Sequence, residues 1–393
     1  INSLAGTVLN PKSTHQLRAY FFDKLGVEPL KWTKGGKTGI KSPSVDVGFL
    51  KYYQDRIPMA ALLLKHRELT KLYSTYIRAL IDKADPNHRI HARFNQDIAR
   101  TGRLSSSDPN MQNIPRPDND KYNLRGAFIP EDGNRMIVGD YSQLEMRLLA
   151  CAAMEEDMIG IFLRGWDIHM GNANMMFGIP YEDLKKAKKW KEGQPLPIAE
   201  SGEEMTIEYI KHCLRARTEV KNIGFGLNYG MKENKLARDL GITKDEALAK
   251  MEQYGNTYPA VQAFYKEAIE ECRSTGYSFT IMGRRRFLPE IHSNNKMDRW
   301  QAERQAVNTQ IQGSAADVAK MAMILCYEGN VEERYGAKML IQVHDELVFE
   351  CPEESAQEAM EEIKDWMEHP FQTDLPVPLT VDIDLGSSWG EAK

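Results

Sequence analysis

His344-Asp345-Glu346 lies within Lys338-Met-Leu-Ile-Gln-Val-His-Asp-Glu-Leu-Val-Phe-Glu350, two adjacent carboxylates at the joint between two apolar, alternating stretches. Met339, Ile341 and Val343 precede the joint and Leu347 and Phe349 follow it, the period-2 pattern of a β-hairpin with one buried face. A buried carboxylate without a counter-charge carries a desolvation penalty of several kcal/mol. Acids held at a strand junction are therefore either solvated turn residues or the partners of a cation.

A second acid narrows the choice. Arg135-Met-Ile-Val-Gly-Asp140-Tyr-Ser-Gln-Leu-Glu145-Met-Arg-Leu-Leu-Ala150 predicts a short buried strand ending at Asp140, then an amphipathic helix from about Gln143. Alone, Asp140 reads equally well as a helix N-cap. Two aspartates on neighbouring strand ends can share hard divalent cations, because Mg²⁺ takes a few carboxylates together with substrate phosphates and water. That donor pattern belongs to two-metal phosphoryl transfer.

Between the acids, Arg217, Lys221, Phe225 and Tyr229 recur at every fourth position of Arg217-Thr-Glu-Val-Lys-Asn-Ile-Gly-Phe-Gly-Leu-Asn-Tyr-Gly230. At helical spacing they span about 120° of one face. Like charges at i and i+4 cost an isolated helix about 0.2–0.5 kcal/mol, so the stripe makes most sense with an anion across it. A triphosphate fits, with the aromatic rings left for a base or sugar. The plain alternative is an amphipathic helix with solvated basic residues. Gly224, Gly226 and Gly230 each oppose the helix by about 1 kcal/mol relative to alanine and allow close approach or hinging.

On these residues the chain resembles the polymerase region of family A DNA polymerases, the group of bacterial DNA polymerase I and related phage enzymes. Asp140-Tyr-Ser-Gln-Leu-Glu-Met-Arg is similar to that family's motif A, Arg217–Gly230 to motif B, and Gln342-Val-His-Asp-Glu to motif C. Thr101-Gly-Arg-Leu-Ser-Ser-Ser-Asp-Pro-Asn-Met-Gln-Asn-Ile-Pro115, Gly283-Arg-Arg-Arg-Phe-Leu-Pro289 and Glu303-Arg-Gln-Ala-Val-Asn-Thr-Gln-Ile-Gln-Gly313 extend the resemblance along nearly the whole chain. Six motifs in order are specific where one would not be.

The resemblance implies an α+β, right-hand polymerase fold. Residues 1–83 would be the thumb, 84–150 and 298–393 a discontinuous palm built on an antiparallel sheet with the hairpin 338–350, and 151–297 the helical fingers. It implies that Asp140, Asp345 and the Tyr141 carbonyl hold two Mg²⁺ ions, with Mn²⁺ able to substitute, and that Glu346 supports them. Arg217 and Lys221 would hold the triphosphate, Phe225 would stack on the incoming nucleotide, and Tyr229 with Gly230 would border the templating base. Gln143 and His169 would approach the nucleotide. Glu145 would be the steric gate against a ribose 2′-hydroxyl, and phenylalanine at 225 would discriminate against dideoxynucleotides. Arg103, Arg304, Asn308, Gln312 and His344 would touch the primer end, the template and the minor groove, whose acceptors are nearly sequence-independent. Lys71, Ser74 and Thr75 would face DNA from the thumb. A structural salt bridge or turn contact is the plain reading of each of these taken singly.

The chain's 393 residues suffice for two or three subdomains, and 42% hydrophobic with 27% charged residues is ordinary for a globular protein. No apolar run approaches the roughly 20 residues of a membrane span, and no signal peptide is visible. Cys151, Cys213, Cys272, Cys326 and Cys351 lack CxxC spacing, which suggests neither zinc nor disulfides and fits a reducing, cytoplasmic setting, or the host cytoplasm for a phage product. The net charge of −5 has the wrong sign for a simple nucleic-acid binder, so DNA contact rests on local distribution. Lys31–Lys41 is a basic, glycine-bearing loop suited to phosphates or to a plain solvated turn, and 353–368 reads as an acidic surface helix.

Between Gly178 and Arg217 the connection is longer than in bacterial relatives, with Lys185-Lys-Ala-Lys-Lys-Trp-Lys191 and a Pro/Gly/Glu-rich stretch at 193–204. An inserted, solvated loop near 183–209 is expected there. The start at Ile1, almost directly in thumb-like sequence, reads as a fragment or processed product, and Asp382-Ile-Asp384 is too little to indicate an exonuclease. The expected partners are primer-template DNA and dNTPs, acting on a monomer. The alternatives are a relative that makes or copies RNA, and a non-catalytic duplex-binding protein.

Overall fold

The apolar run before Asp140 and the alternation in 338–350 form strands of one four-stranded antiparallel sheet, Lys338–Val343, Glu346–Pro352, Asn134–Tyr141 and Val381–Gly386 in order across it. The protein is described by a computed structural model over residues 1–33, 39–116, 121–228, 230–371 and 373–392, the side chains of Phe225 and Asn228 excepted. It divides into two compact units, Ile1–Arg93 and Phe94–Lys393.

The first unit is helical, as its periodicity predicts, and runs to Arg93, past the division read at residue 83. Asp46 caps the helix Val47–Tyr53 by accepting the Phe49 N–H, and Pro58 opens the helix Pro58–Lys71, where its missing donor costs nothing. The helical path continues through Leu72–Ile77 to Ile81. Leu17, Phe21, Phe49, Leu50 and Leu63 form its core.

In the second unit the sheet pairs Asp140 with Glu346 on one side and with Asp382 on the other. Directly paired residues share a face, so three carboxylates stand in a row across the sheet. The opposite face carries Leu347, Phe349 and Cys351, buried under the helices Ser314–Glu328 and Ala356–Glu368. The hairpin differs from its expected single buried face: Glu346 and Glu350 lie on the polar side of the alternation, yet both are buried. The physical reason is that this strand is central and covered twice. Glu350 accepts the Asn134 side-chain amide at 2.8 Å and the Glu131 N–H at 3.0 Å, while Glu346 faces Arg125 and Trp389.

The polar face is covered by the C-terminal segment, which docks on the turn Leu124–Ala127. Trp389 N–H donates to the Phe128 carbonyl at 2.9 Å and Gly390 N–H to that of Arg125 at 3.2 Å. A Cβ on Gly390 would lie 2.7 Å from the Gly126 nitrogen, so this approach requires glycine.

Between Glu156 and Thr275 the named elements are helices, the longest being Ile207–Asn228, and they pack around Ile161, Ile168, Ile210, Val220, Tyr254 and Tyr258. Part of the stretch read as a solvated loop is helical and packed: Tyr181–Lys189 buries Leu184 and Ala187, and Met205 joins the same core. Its apolar positions recur at helical spacing behind the lysines, which is why charge concealed them in the sequence.

Gly390→Ala is expected to cost about 1–3 kcal/mol by overpacking against backbone that cannot rotate away. Urea unfolding of the full chain measures this; an unchanged midpoint would mean that the C-terminal segment does not clamp the sheet.

Candidate active site

The acids meet where the strands end. Asp140 is the penultimate residue of its strand and Asp345 occupies the two-residue turn of the hairpin, and the Tyr141 N–H donates to the Asp345 carbonyl at 3.0 Å. The turn places His344 at φ 58°, a left-handed conformation rare outside glycine. It is held by the Gln342 side chain, which donates to the His344 carbonyl, and by Gln112, which donates to both the backbone and the side-chain oxygen of Gln342. Arg116 reaches Asp140 Oδ2 and Asp345 Oδ1 at 3.6 Å each. Burial and then the charge of Asp140 push the Asp345 carboxyl up to about 6, against Arg116.

The donor set at the carboxylate pair fits a hard divalent ion. It offers two carboxylates, oxygen donors whose mutual repulsion a cation would relieve. Among the described residues no group of three or more His, Cys, Asp or Glu converges, so water and phosphate would complete the coordination.

Glu346 has a different cation. Fully buried, it accepts from Arg125 Nη1 at 2.9 and 3.0 Å and from Trp389 Nε1 at 2.7 Å, with the guanidinium 4.2 Å above the Trp389 ring. Its neutralising partner is thus a guanidinium within the fold, and its visible work is to anchor the strand after the turn.

The cationic side is built on Asp167. Its carboxylate caps the helix Ile168–Phe177, accepting the N–H groups of His169 and Met170, and binds Arg217 Nη2 at 2.8 Å. Burial opposes ionisation of Asp167, but Arg217 and the capping N–H hold it below the usual carboxylate range. Lys221, one turn beyond Arg217, is exposed. Burial, reinforced by Arg217, Lys221 and Lys188 and resisted by Asp167, pushes His169 down to about 4, so its ring is neutral at pH 7. Gln143, at φ 57°, links the two halves of the site: its side-chain oxygen accepts the Ile168 N–H at 3.2 Å, next to the strand that carries Asp140.

The other predicted positions fall in three groups. Arg103 Nη2 pairs with Glu145 Oε1 at 2.5 Å, and His344, pushed down by burial, lies within the fields of Arg103, Arg116 and Glu145. Gly230, at φ 63°, abuts Arg304, which lies over Trp300, and the Asn308 amide donates to Gln312 at 3.0 Å. Lys71, Ser74 and Thr75 are exposed in the first unit. Tyr229 and the Phe225 side chain lie outside the described residues, as do 34–38 of the basic loop. Arg116, Arg125, Trp389 and Asp167 carried no assignment in the sequence, although Arg116 directly follows the quoted Thr101–Pro115 motif and Asp167 belongs to Asp167-Ile-His169.

A family model described as DNA polymerase family A matches residues 1–192 and 199–391, and the chain belongs to that family. It is 40% identical over 391 residues to the thermostable DNA polymerase I of Thermus aquaticus, an alignment covering 99% of this chain and 43% of that protein. It is 37% identical over 395 residues to DNA polymerase I of Bacillus subtilis, covering 100% and 41%. Among solved structures, the POL domain of Pol1 from M. smegmatis in complex with DNA primer-template and dNTP matches with a TM-score of 0.85 at 34% identity, over 100% of this chain and 63% of that one. The fold is therefore the α+β fold of a family A polymerase domain. The chain spans about two fifths of the length of the curated relatives it matches.

Arg125→Met is expected to destabilise the protein by about 3–5 kcal/mol, because it strands a buried carboxylate. Adding Glu346→Gln should recover part of the loss in chemical denaturation. Asp345→Asn should act oppositely in the metal-free protein. A carboxyl raised from 3.8 to about 6 holds its proton in the folded state where the unfolded state has released it, so the parent loses stability as pH rises through that interval. In EDTA, the melting temperature of Asp345→Asn should rise relative to the parent between pH 4 and 6 and keep its advantage above; equal curves throughout would contradict a carboxyl raised by burial and by Asp140.

Proposed function

We propose that this chain is the catalytic region of a template-directed DNA polymerase. The observation that carries the reading is the joining, within one compact unit, of two strand-end carboxylates, Asp140 and Asp345, to a cationic helix through Gln143 and Asp167. Family membership and the DNA- and dNTP-bound neighbour support it.

In this reading the primer 3′-hydroxyl attacks the α-phosphate of a dNTP; the new phosphodiester bond forms as the bond to pyrophosphate breaks. Asp140, Asp345 and the Tyr141 carbonyl would hold two Mg²⁺ ions, whose place Mn²⁺ can take. The chemistry a divalent pair supplies there is activation of the attacking oxygen and neutralisation of charge on the leaving one. Arg217 and Lys221 bind the triphosphate, and Lys221 neutralises charge on the departing pyrophosphate. Neutral His169 and Gln143 orient the nucleotide by hydrogen bonds. Glu145, fixed by Arg103, closes the space beside the sugar and selects deoxynucleotides. Phe225 stacks on the incoming nucleotide, and Tyr229 with Gly230 borders the templating base. Glu346 contributes by holding the turn through Arg125.

Arg103, Arg304, Asn308, Gln312 and His344 contact the duplex; within the first unit, read as the thumb, Lys71, Ser74 and Thr75 are the DNA-facing residues. The sheet is the palm and 151–297 the fingers. The protein acts as a monomer. Arg116, between the acids, must give way when metal and nucleotide enter.

Primer extension with Mg²⁺ tests this reading. The parent should extend with dNTPs and poorly with rNTPs, and Asp345→Asn should lower the rate about a hundredfold or more. Equal extension by both proteins would remove the carboxylate assignment, and ready rNTP incorporation would remove the role of Glu145.

A further inference from the structure

Lys188 stands beside Arg217 on the same carboxylate. Its Nζ is 3.5 Å from Asp167 Oδ2, the oxygen that Arg217 Nη2 meets at 2.8 Å. We propose that Lys188, carried by the helix Tyr181–Lys189, is a third phosphate-binding cation, placed beside Arg217 and Lys221 by the segment that joins this helix to Ile207–Asn228. The inference rests on the polymerase reading and adds to it a nucleotide-binding residue from the helix that lies just before the point, at 193–198, where the family match is interrupted.

Charge supplies the first argument. Arg217, Lys188 and Lys221 bring three positive charges and Asp167 one negative, which leaves two positive charges over. A nucleoside triphosphate with one divalent ion carries a net charge of about −2 and would match that surplus. His169 does not add to it, since burial and these same cations keep its ring neutral. Arg217 Nε is buried and lacks a hydrogen-bond partner among the described residues, a donor that an anionic oxygen would satisfy. The Lys188–Asp167 contact is long, its lysine is half exposed and Arg217 stays on the same carboxylate, so the ammonium can leave for a phosphate at little cost.

The second argument is how firmly the helix is placed. The Tyr181 hydroxyl accepts the Asp167 N–H at 2.9 Å, and its ring stacks on Trp166 at 4.0 Å. Asp183, 2% exposed, accepts the Glu200 N–H at 2.8 Å and the Tyr209 hydroxyl at 3.0 Å, tying the helix to the following connection and to the base of the cationic helix. Leu184 and Ala187 face the core. The neighbouring lysines have other work: Lys185 pairs with Glu182 and Lys186 donates to the Ile198 carbonyl at 2.8 Å. Lys188 is the lysine of this helix that the packing turns toward Asp167.

The test uses the full chain, its Lys188→Ala, Lys188→Arg and Lys185→Ala variants, and inorganic tripolyphosphate as the probe, titrated calorimetrically in EDTA. Lys188→Ala should weaken tripolyphosphate binding about tenfold, the size of one charge-assisted hydrogen bond, while Lys188→Arg retains most of it and Lys185→Ala matches the parent. In primer extension Lys188→Ala should raise the dNTP KM by a similar factor, with kcat and duplex affinity within about twofold of the parent. Unchanged tripolyphosphate binding in Lys188→Ala, with the parent binding and extending normally, overturns this inference alone. A fall in binding that Lys188→Arg fails to rescue, accompanied by a lower melting temperature, assigns the lysine to packing and overturns it too. A parent that neither binds tripolyphosphate nor extends primers overturns the polymerase reading along with it.

Discussion

Glu346 is a carboxylate withdrawn from the solvent surface, and the ion pair that makes its burial tolerable organises the site. Arg125 binds both of its oxygens and Trp389 donates to one of them, while the guanidinium lies over the indole ring. An ion pair this deep adds little net stability compared with an apolar substitute, since both charges were desolvated to make it. Its effect is positional. Because neither charge can be left alone, the strand after the turn, the Leu124–Ala127 turn and the C-terminal segment must assemble together.

That assembly sets the register on which the chemistry depends. With Glu346 opposite Asp140, the turn residue Asp345 falls next to Asp140, and a slip of one position would turn every side chain to the other face. The remaining repulsion is left at the open end of the sheet. Asp345 is raised to about 6 there, and Arg116 bridges the two acids from 3.6 Å. An unfavourable cluster of this kind is a common mark of a functional site, where stability is given up for a charge arrangement that substrate completes.

Asp167 plays the corresponding part on the cationic side. One carboxylate caps a helix and orients Arg217, and it sits beside the neutral His169. Gln143 bonds the residue after Asp167, so the acid strand and the cationic helix share a single hydrogen-bonded path. Both halves of the site thus use the same device, an acid that fixes a guanidinium, fully buried at Glu346 and partly buried at Asp167.

Much of this was legible along the chain. The alternation around His344–Glu346 yielded the hairpin, the apolar run before Asp140 yielded its strand, and the four-residue recurrence from Arg217 yielded a helix that extends to Asn228 despite its glycines. Such signals are local, and backbone periodicity writes them into neighbouring residues. What the sequence concealed was covering and pairing. Glu346 and Glu350 looked like an exposed face because polarity marks an exposed strand face only when nothing packs over it. The lysines of 185–191 looked like a solvated loop because their charge hid Leu184 and Ala187 behind them.

By itself, then, the order of residues determined which side chains could carry the chemistry and on which element each one rides. Tertiary structure alone decided which cation meets which acid: Arg125 with Glu346 across 221 positions, Arg217 with Asp167 across 50, and Arg116 between Asp140 and Asp345. Charge pairing is set by distance in space and by the cost of desolvation. Neither leaves a period in the chain from which it could be read.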